Sequence, residues 1–136
     1  MKTVPRTVGE IMTDTLVVLR EDETLEDLAD NMERFALRHL PVVDDDRLVG
    51  LVTHRDVLRA AVINGKRAAS DPSLRVREIM SRDLVTVSPS LPLALAADLL
   101  IERRAGCLLV VDERGALTGV VTEHDFLKLA RALIAV

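Results

Sequence analysis

The chain has 136 residues, 49% of them hydrophobic and 29% charged, which is typical of one ordinary globular domain or two very small packed ones. A net charge of −4, scattered basic residues and an aromatic fraction of 1% exclude the basic surface and stacking platforms that nucleic-acid binders use. The sequence contains neither a membrane-length apolar run nor a signal-peptide core, so we expect a cytoplasmic protein with no membrane segment. Its single cysteine, Cys107, excludes an internal disulfide and a cysteine-cluster metal site, and we expect no bound metal.

Short elements with changing hydrophobic periodicity make up the first part of the chain. A helical turn is predicted over residues 8–12, and the apolar, β-branched run over 16–19 has the length of a strand. Apolar residues then recur at helical spacing from Leu25, and Thr24 is well placed as the N-cap of that helix.

A hairpin and a second helix complete this first copy. Two short strands are predicted at 40–43 and 48–52 around an acidic turn, and Thr53 opens a helix that runs to about residue 63. The same order follows in the second half, with elements predicted at 84–87, 91–104, 107–111, 117–121 and from 122 onward.

The two halves are copies of one unit, because the same motifs recur in the same order. Residues 8–13 recur at 76–81, 40–44 at 108–112, and 50–56 at 119–125. The offset is 68 before the acidic turn and 69 after it, so the second copy has gained one residue there. We divide the chain into repeat 1 over 8–64, a linker over 65–75 and repeat 2 over 76–134. Such small units bury little core alone, so we expect them to pack with a pseudo-two-fold axis and a ligand cleft between them.

This tandem pattern resembles a pair of CBS domains, the small regulatory modules named after cystathionine β-synthase. An Ile-Met-Thr/Ser segment, a Leu-Pro-Val-Val-Asp strand and a Gly-x-Val-Thr-x-x-Asp segment carry the resemblance over almost the whole chain. The second copy differs in having Leu109 for Pro41 and Gly106 for Arg38. The resemblance implies an α+β fold of two β-α-β-β-α repeats and a stand-alone sensor that binds AMP, ADP, ATP or S-adenosylmethionine. It also implies action as a homodimer or through an unidentified regulated protein, with no catalytic cofactor.

Two Thr-x-x-Asp motifs lie where a strand is predicted to become a helix, at Thr53 to Asp56 and at Thr122 to Asp125. A threonine N-cap with an acid three residues later is close to a capping box, which is a purely structural role. The resemblance adds that these residues hold the ribose of the ligand. A carboxylate can accept both hydroxyl protons of a ribose diol while the threonine hydroxyl adds a third bond, so the two roles are compatible.

The resemblance further implies that the leading segment of one copy, residues 8–13 or 76–81, combines with the Thr-x-x-Asp motif of the other. Because aromatic rings are scarce, the walls of the base pockets must be aliphatic. The pocket beside Asp125 would contain Met12, Thr13, Thr15, Val17, Leu37 and Arg38, and the pocket beside Asp56 would contain Met80, Ser81, Asp83, Val85, Ala105 and Gly106. Cations near the motifs could hold phosphates, although each is equally explained as a solvated surface residue. These cations are Arg34, Arg38, His54, Arg55 and His124.

Apolar positions on two helices of repeat 2 predict a homodimer interface. Asp27 and Asn31 of repeat 1 become Leu95 and Leu99, which makes that helix apolar on more than one face. The C-terminal helix is similarly apolar, and we add Phe126 and Leu133 to the predicted interface.

Two other functions stay open. The chain could be a ligand-free interaction module that uses only these helix faces. An enzyme is the weakest alternative, because His54 and Asp56 are spaced i, i+2 and His124 and Asp125 are spaced i, i+1, and neither spacing places the two side chains together on a helix. We therefore assign no catalytic residue.

Overall fold

The computed structural model describes residues 4–35, 37–64 and 74–134, so most of the predicted linker lies outside it. The helices are α1 (Val8–Ile11), α2 (Leu25–Phe35), α3 (His54–Asn64), α4 (Val76–Ile79), α5 (Leu93–Arg103) and α6 (Glu123–Ile134). The strands are β1 (His39–Asp44), β2 (Arg47–Thr53), β3 (Thr86–Val87), β4 (Cys107–Val111) and β5 (Leu117–Thr122). The predicted α+β class is confirmed. Over the same ranges, no helix has both the length and the apolar character that a membrane crossing requires.

Two compact units make up the chain, and each combines parts of both repeats. Unit 1 consists of Met1–Leu16 and Val85–Val136, and unit 2 consists of Val17–Leu84. In unit 1 the backbone N–H of Val8 donates to the Leu91 carbonyl at 2.9 Å. In unit 2 the N–H of Val76 donates to the Glu23 carbonyl at 2.8 Å. Each leading helical turn is thus attached to the body of the other repeat.

The two units differ in their sheets because of one proline. Unit 1 has three strands in the order β3-β4-β5, and unit 2 has only β1 and β2. In unit 1 the N–H of Leu109 donates to the Val85 carbonyl at 3.0 Å. Its counterpart in unit 2 is Pro41, which has no N–H to donate. The strand predicted over 16–19 is therefore reduced to a single bridge between Leu19 and Val42, which corrects that prediction.

Both hairpins are antiparallel, and their turns differ as the repeat offset predicts. Each hairpin has a register irregularity at the equivalent place, after Val42 in β1 and after Val110 in β4. The shorter turn places Asp45 in the left-handed region at a φ of 55°. The longer turn uses Gly115 at a φ of 82°, where a residue without a side chain is favoured. The predicted insertion in the second turn is confirmed.

A capping box starts α2, as the sequence predicts for Thr24. The N–H of Asp27 donates to Thr24 Oγ1 at 3.1 Å, and the N–H of Thr24 donates to Asp27 Oδ2 at 3.4 Å. Both bonds satisfy backbone donors that the first turn of a helix leaves free.

Each unit has its own aliphatic core. In unit 2 the side chains of Leu28 and Leu40 are fully buried, and in unit 1 those of Leu108 and Val110 are. Burying one such side chain contributes about 1.5–3 kcal/mol, so these few residues supply much of the stability of each unit. The two cores hold the ends of β2 and β5, from which the Thr-x-x-Asp motifs project.

Candidate functional site

The first motif joins β2 to α3 in unit 2 and forms a capping box. The N–H of Thr53 donates to Asp56 Oδ2 at 2.8 Å, and the Thr53 hydroxyl donates to the same oxygen at 3.1 Å. In return, the N–H of Asp56 donates to Thr53 Oγ1 at 3.3 Å. The predicted capping role of this motif is confirmed. It leaves the Asp56 carboxylate half-buried at the positive end of α3.

The second motif joins β5 to α6 in unit 1 and has more partners. The N–H of Thr122 donates to Asp125 Oδ2 at 2.8 Å. On the other oxygen, Oδ1, the Thr13 hydroxyl donates at 3.4 Å and the Lys128 ammonium lies at 3.6 Å. Asp125 is only 6% exposed, so these partners compensate much of the cost of burying its charge. Lys128 was not predicted from the sequence, although its i, i+3 spacing from Asp125 was a usable signal.

Backbone bridges bring each leading segment to the strand that ends in a motif. Thr13 and Val120 exchange two N–H to carbonyl bonds, at 2.9 and 3.0 Å. Ser81 and Leu51 do the same at 2.8 and 3.0 Å. Thr13 then reaches Asp125, whereas the Ser81 hydroxyl accepts a bond at 3.3 Å from the N–H of Asp83. The two motifs therefore have different hydroxyl neighbours.

A methionine of each leading segment packs on a glycine of the adjoining strand. A Cβ atom at Gly119 would lie 2.5 Å from Met12 Sδ, and one at Gly50 would lie 2.5 Å from Met80 Sδ. No larger residue leaves space for these side chains in their present positions. Glycine thus permits the close approach that holds the leading segment in place.

The structure brings part of each predicted base pocket together. Met12, Thr13 and Thr15 share unit 1 with Asp125, and Met80, Ser81 and Asp83 share unit 2 with Asp56. The remaining members of the two predicted sets belong to the opposite unit in each case, so their place in a pocket stays a prediction. Those predicted beside Asp125 are Val17, Leu37 and Arg38, and those predicted beside Asp56 are Val85, Ala105 and Gly106.

The cations predicted to hold phosphate are all exposed. Arg38 lies next to the first motif, because its carbonyl accepts a hydrogen bond from the N–H of His54 at 3.0 Å. Arg55 and His124 occupy the second helical position of α3 and α6, directly before the aspartates, and Arg34 lies in the last turn of α2. Their side chains can therefore meet a charged ligand.

The four residues of the predicted dimer interface divide into two groups. Leu95 is 50% exposed and Leu133 is 55% exposed. Leu99 and Phe126, in contrast, are partly buried against the core of unit 1, so their apolar character also serves the fold, and their place in an interface stays a prediction. Two further apolar side chains of the C-terminal helix, Leu127 and Ile134, are also exposed on α6.

Cys107 lies opposite Thr122 in the β4–β5 hairpin, and a surface cavity lies beside the turn at the other end of that hairpin. Burial raises the pKa of the Cys107 thiol to about 12, which keeps it protonated and inert, as its place in an apolar strand predicts. No cluster of metal-binding side chains occurs within residues 4–35, 37–64 and 74–134. A cavity of about 490 Å³ in unit 1 contains none of the predicted site residues. It is lined by Ser88, Pro89, Ser90, Asp112, Glu113 and Arg114.

Comparison with known proteins finds one family twice in this chain. The CBS domain family matches residues 8–63 and again residues 76–132. Among curated proteins, inosine-5'-monophosphate dehydrogenase of Mycobacterium tuberculosis is 38% identical over 92% of this chain. The match spans only 22% of the dehydrogenase, and the chain covers 22–46% of the first curated relatives. The dehydrogenase reaction therefore does not transfer to this protein.

Two solved structures are similar to the chain in both fold and sequence. CBSX2 in complex with AMP is 29% identical, with a TM-score of 0.83 over 95% of this chain and 98% of its own. The cytosolic domain of the Mg²⁺ channel MgtE in complex with ATP is 32% identical, with a TM-score of 0.75 over 91% of this chain and 48% of its own.

Proposed function

The chain belongs to the CBS-domain family, of which it carries a tandem pair, and from this premise we propose that it is a regulatory module that binds an adenosine nucleotide. AMP, ADP and ATP are the first choices, and S-adenosylmethionine is a further one. The module catalyses no reaction and passes its signal to a regulated protein through a change in conformation or assembly. It works in the cytoplasm, where these nucleotides are abundant.

The observation that carries the proposal is a pair of carboxylates held at helix N-termini, each with a threonine hydroxyl beside it. The Thr53 hydroxyl lies 3.1 Å from Asp56, and the Thr122 hydroxyl lies 3.4 Å from Asp125. A carboxylate only accepts hydrogen bonds, so it can take both protons of the ribose diol. AMP in CBSX2 and ATP in the MgtE domain support an adenosine ligand.

Ligand binding at Asp125 would change the structure directly, because it would displace a hydrogen bond from the leading segment. The Thr13 hydroxyl occupies Oδ1 at 3.4 Å, and Thr13 belongs to the leading segment. Ribose hydroxyls that donate to Oδ1 would replace Thr13 as the hydrogen-bond donor. The leading segment would then lose one of its attachments to α6, which shifts the population between two positions of that segment.

Thermal unfolding tests the proposal. The protein is refolded to remove carried-over nucleotide and then melted with AMP, ADP, ATP, S-adenosylmethionine and NAD in turn. A ligand present at about 100 times its Kd should stabilise the chain by about 2.7 kcal/mol, because it binds only the folded state. For a chain of this size we expect Tm to rise by several degrees. No shift with any of the five compounds would contradict the proposal and leave the motifs as helix caps.

We also propose that the module is a homodimer through α5 and α6 of unit 1. Exposed apolar side chains concentrate on these two helices, including Leu95, Leu127 and Ile134, which are 50%, 67% and 77% exposed. Exposed apolar groups in such numbers favour a partner surface. If no ligand binds, association through these helices is the alternative function, that of an interaction module.

Leu95→Asp should convert the dimer to monomers, since a charge in the interface would have to be desolvated without a partner. Sedimentation velocity measures the change. Leu58→Asp is the matched control, because Leu58 is 61% exposed on α3 of the other unit. Unchanged sedimentation of the Leu95 variant, or equal dissociation of the control, would contradict this interface.

A further inference from the structure

The two Thr-x-x-Asp motifs have the same backbone arrangement, because in each the threonine N–H donates to the aspartate at 2.8 Å. They differ in charge. Between threonine and aspartate, α3 carries His54 and Arg55, and α6 carries Glu123 and His124, all four of them exposed. With neutral histidines, the first motif has one positive and one negative charge. The second has two negative charges. An anionic group that approaches the first turn of the helix therefore meets a balanced pair of charges at the first motif and net negative charge at the second.

The helix dipole and the next helical turn do not remove this difference. Both helices direct their positive ends toward the motif, so the dipole favours an anion equally at each. One turn further along, both carry an exposed cation, Arg59 in α3 and Lys128 in α6. Lys128 already pairs with Asp125 at 3.6 Å, so its charge also serves a buried carboxylate. The distinction rests on Arg55 and Glu123.

We propose that the α3 motif binds an adenosine compound with phosphates, and that the α6 motif binds an adenosine compound without them. This inference rests on the proposed function and assigns a ligand class to each motif. At α3, Asp56 holds the ribose while Arg55, with five N–H donors, faces the phosphate. At α6, Asp125 holds the ribose, and Glu123 repels a phosphate. The chain would thereby bind two different adenosine compounds at the same time, one at each motif.

Calorimetric titration with ATP and with adenosine tests the assignment, using the wild-type chain, Asp56→Ala and Asp125→Ala. We expect one ATP per wild-type chain, no ATP binding by the Asp56 variant, and ATP binding within about threefold of wild type for the Asp125 variant. Adenosine should still bind the Asp56 variant. Loss of neither ligand in either variant would overturn the assignment of the motifs as the site, whereas no binding of either ligand by the wild-type chain would overturn the proposed function itself.

A double substitution that gives the α6 motif the charges of the α3 motif tests the assignment more directly than the aspartate variants do. Glu123→His with His124→Arg turns the α6 motif into a copy of the α3 motif. We expect ATP binding at α6 to tighten by about tenfold or more, raising the stoichiometry from one to two per chain, with a steeper salt dependence. Glu113→Arg is the matched control. It makes the same change in net charge at the far end of β5, and it should leave the stoichiometry at one.

Two results would overturn the inference while the proposed function stands. One is two ATP molecules per wild-type chain at moderate concentration. The other is equal loss of ATP binding in the two aspartate variants.

Discussion

Asp56→Ala and Asp125→Ala are each expected to weaken binding at their own motif by about 100-fold or more. Each removes the carboxylate that we propose accepts both ribose hydroxyls, and a hydrogen bond to a charged group contributes about 1.5–3 kcal/mol. Each variant should also lose about 1 kcal/mol of stability, because the same carboxylate caps a helix. Titration with ATP and with adenosine measures the binding loss whichever compound each motif prefers.

Asp27→Ala separates the two effects. Thr24 and Asp27 form the same kind of capping box at the start of α2, with bonds of 3.1 and 3.4 Å, but belong to no predicted pocket. This control should lose a similar amount of stability and keep wild-type affinity for both ligands. Equal affinity in all three variants would show that the two motifs do nothing more than begin helices.

Gly119→Ala is expected to destabilise unit 1 by about 1–3 kcal/mol, because an added methyl group overpacks a filled space. Its Cβ would lie 2.5 Å from Met12 Sδ and 3.1 Å from the Thr13 carbonyl oxygen. The methionine can rotate, but the backbone of Thr13 has to move away from β5. We therefore expect a lower Tm together with weaker ligand binding at Asp125, both measured on the purified variant.

A double-mutant cycle isolates this contact. Met12→Ala removes the sulfur and most of the clash, so Gly119→Ala should cost less in that background, and the difference is the coupling between the two residues. Gly50→Ala provides the comparison in unit 2, where the close atoms all belong to the Met80 side chain. That variant should lower Tm and leave binding at Asp125 unchanged. An unaltered Tm for Gly119→Ala would contradict the packing argument.

The hydrogen bonds of the site that join residues close in sequence could be predicted. The bonds from Thr53 and Thr122 to their aspartates span three residues, so the motif spacing alone indicates them. That Thr13 belongs with Asp125 came instead from the family resemblance, because no spacing rule links residues 112 positions apart. The i, i+3 spacing of Lys128 from Asp125 allows their pairing, but the burial of that carboxylate, which makes the pairing matter, is not visible in the sequence.

Hydrophobic period, capping signals and the internal repeat by themselves determined the order of the elements and the starts of α2, α3 and α6. These properties depend on contacts within one turn or one hairpin, and such contacts are set by neighbours in the chain. The extra residue in the second hairpin turn could also be predicted, because the change in repeat offset is visible in the sequence alone.

Only the tertiary structure decided which apolar residues face the cores and which strands pair. It turned Leu99 and Phe126 toward the core of unit 1. It also reduced the strand at 16–19 to one bridge, because the strand beside it presents Pro41 where an N–H donor is needed. Each outcome depends on a partner distant in sequence, and the apolar character of a residue is the same whether it faces its own core or another surface.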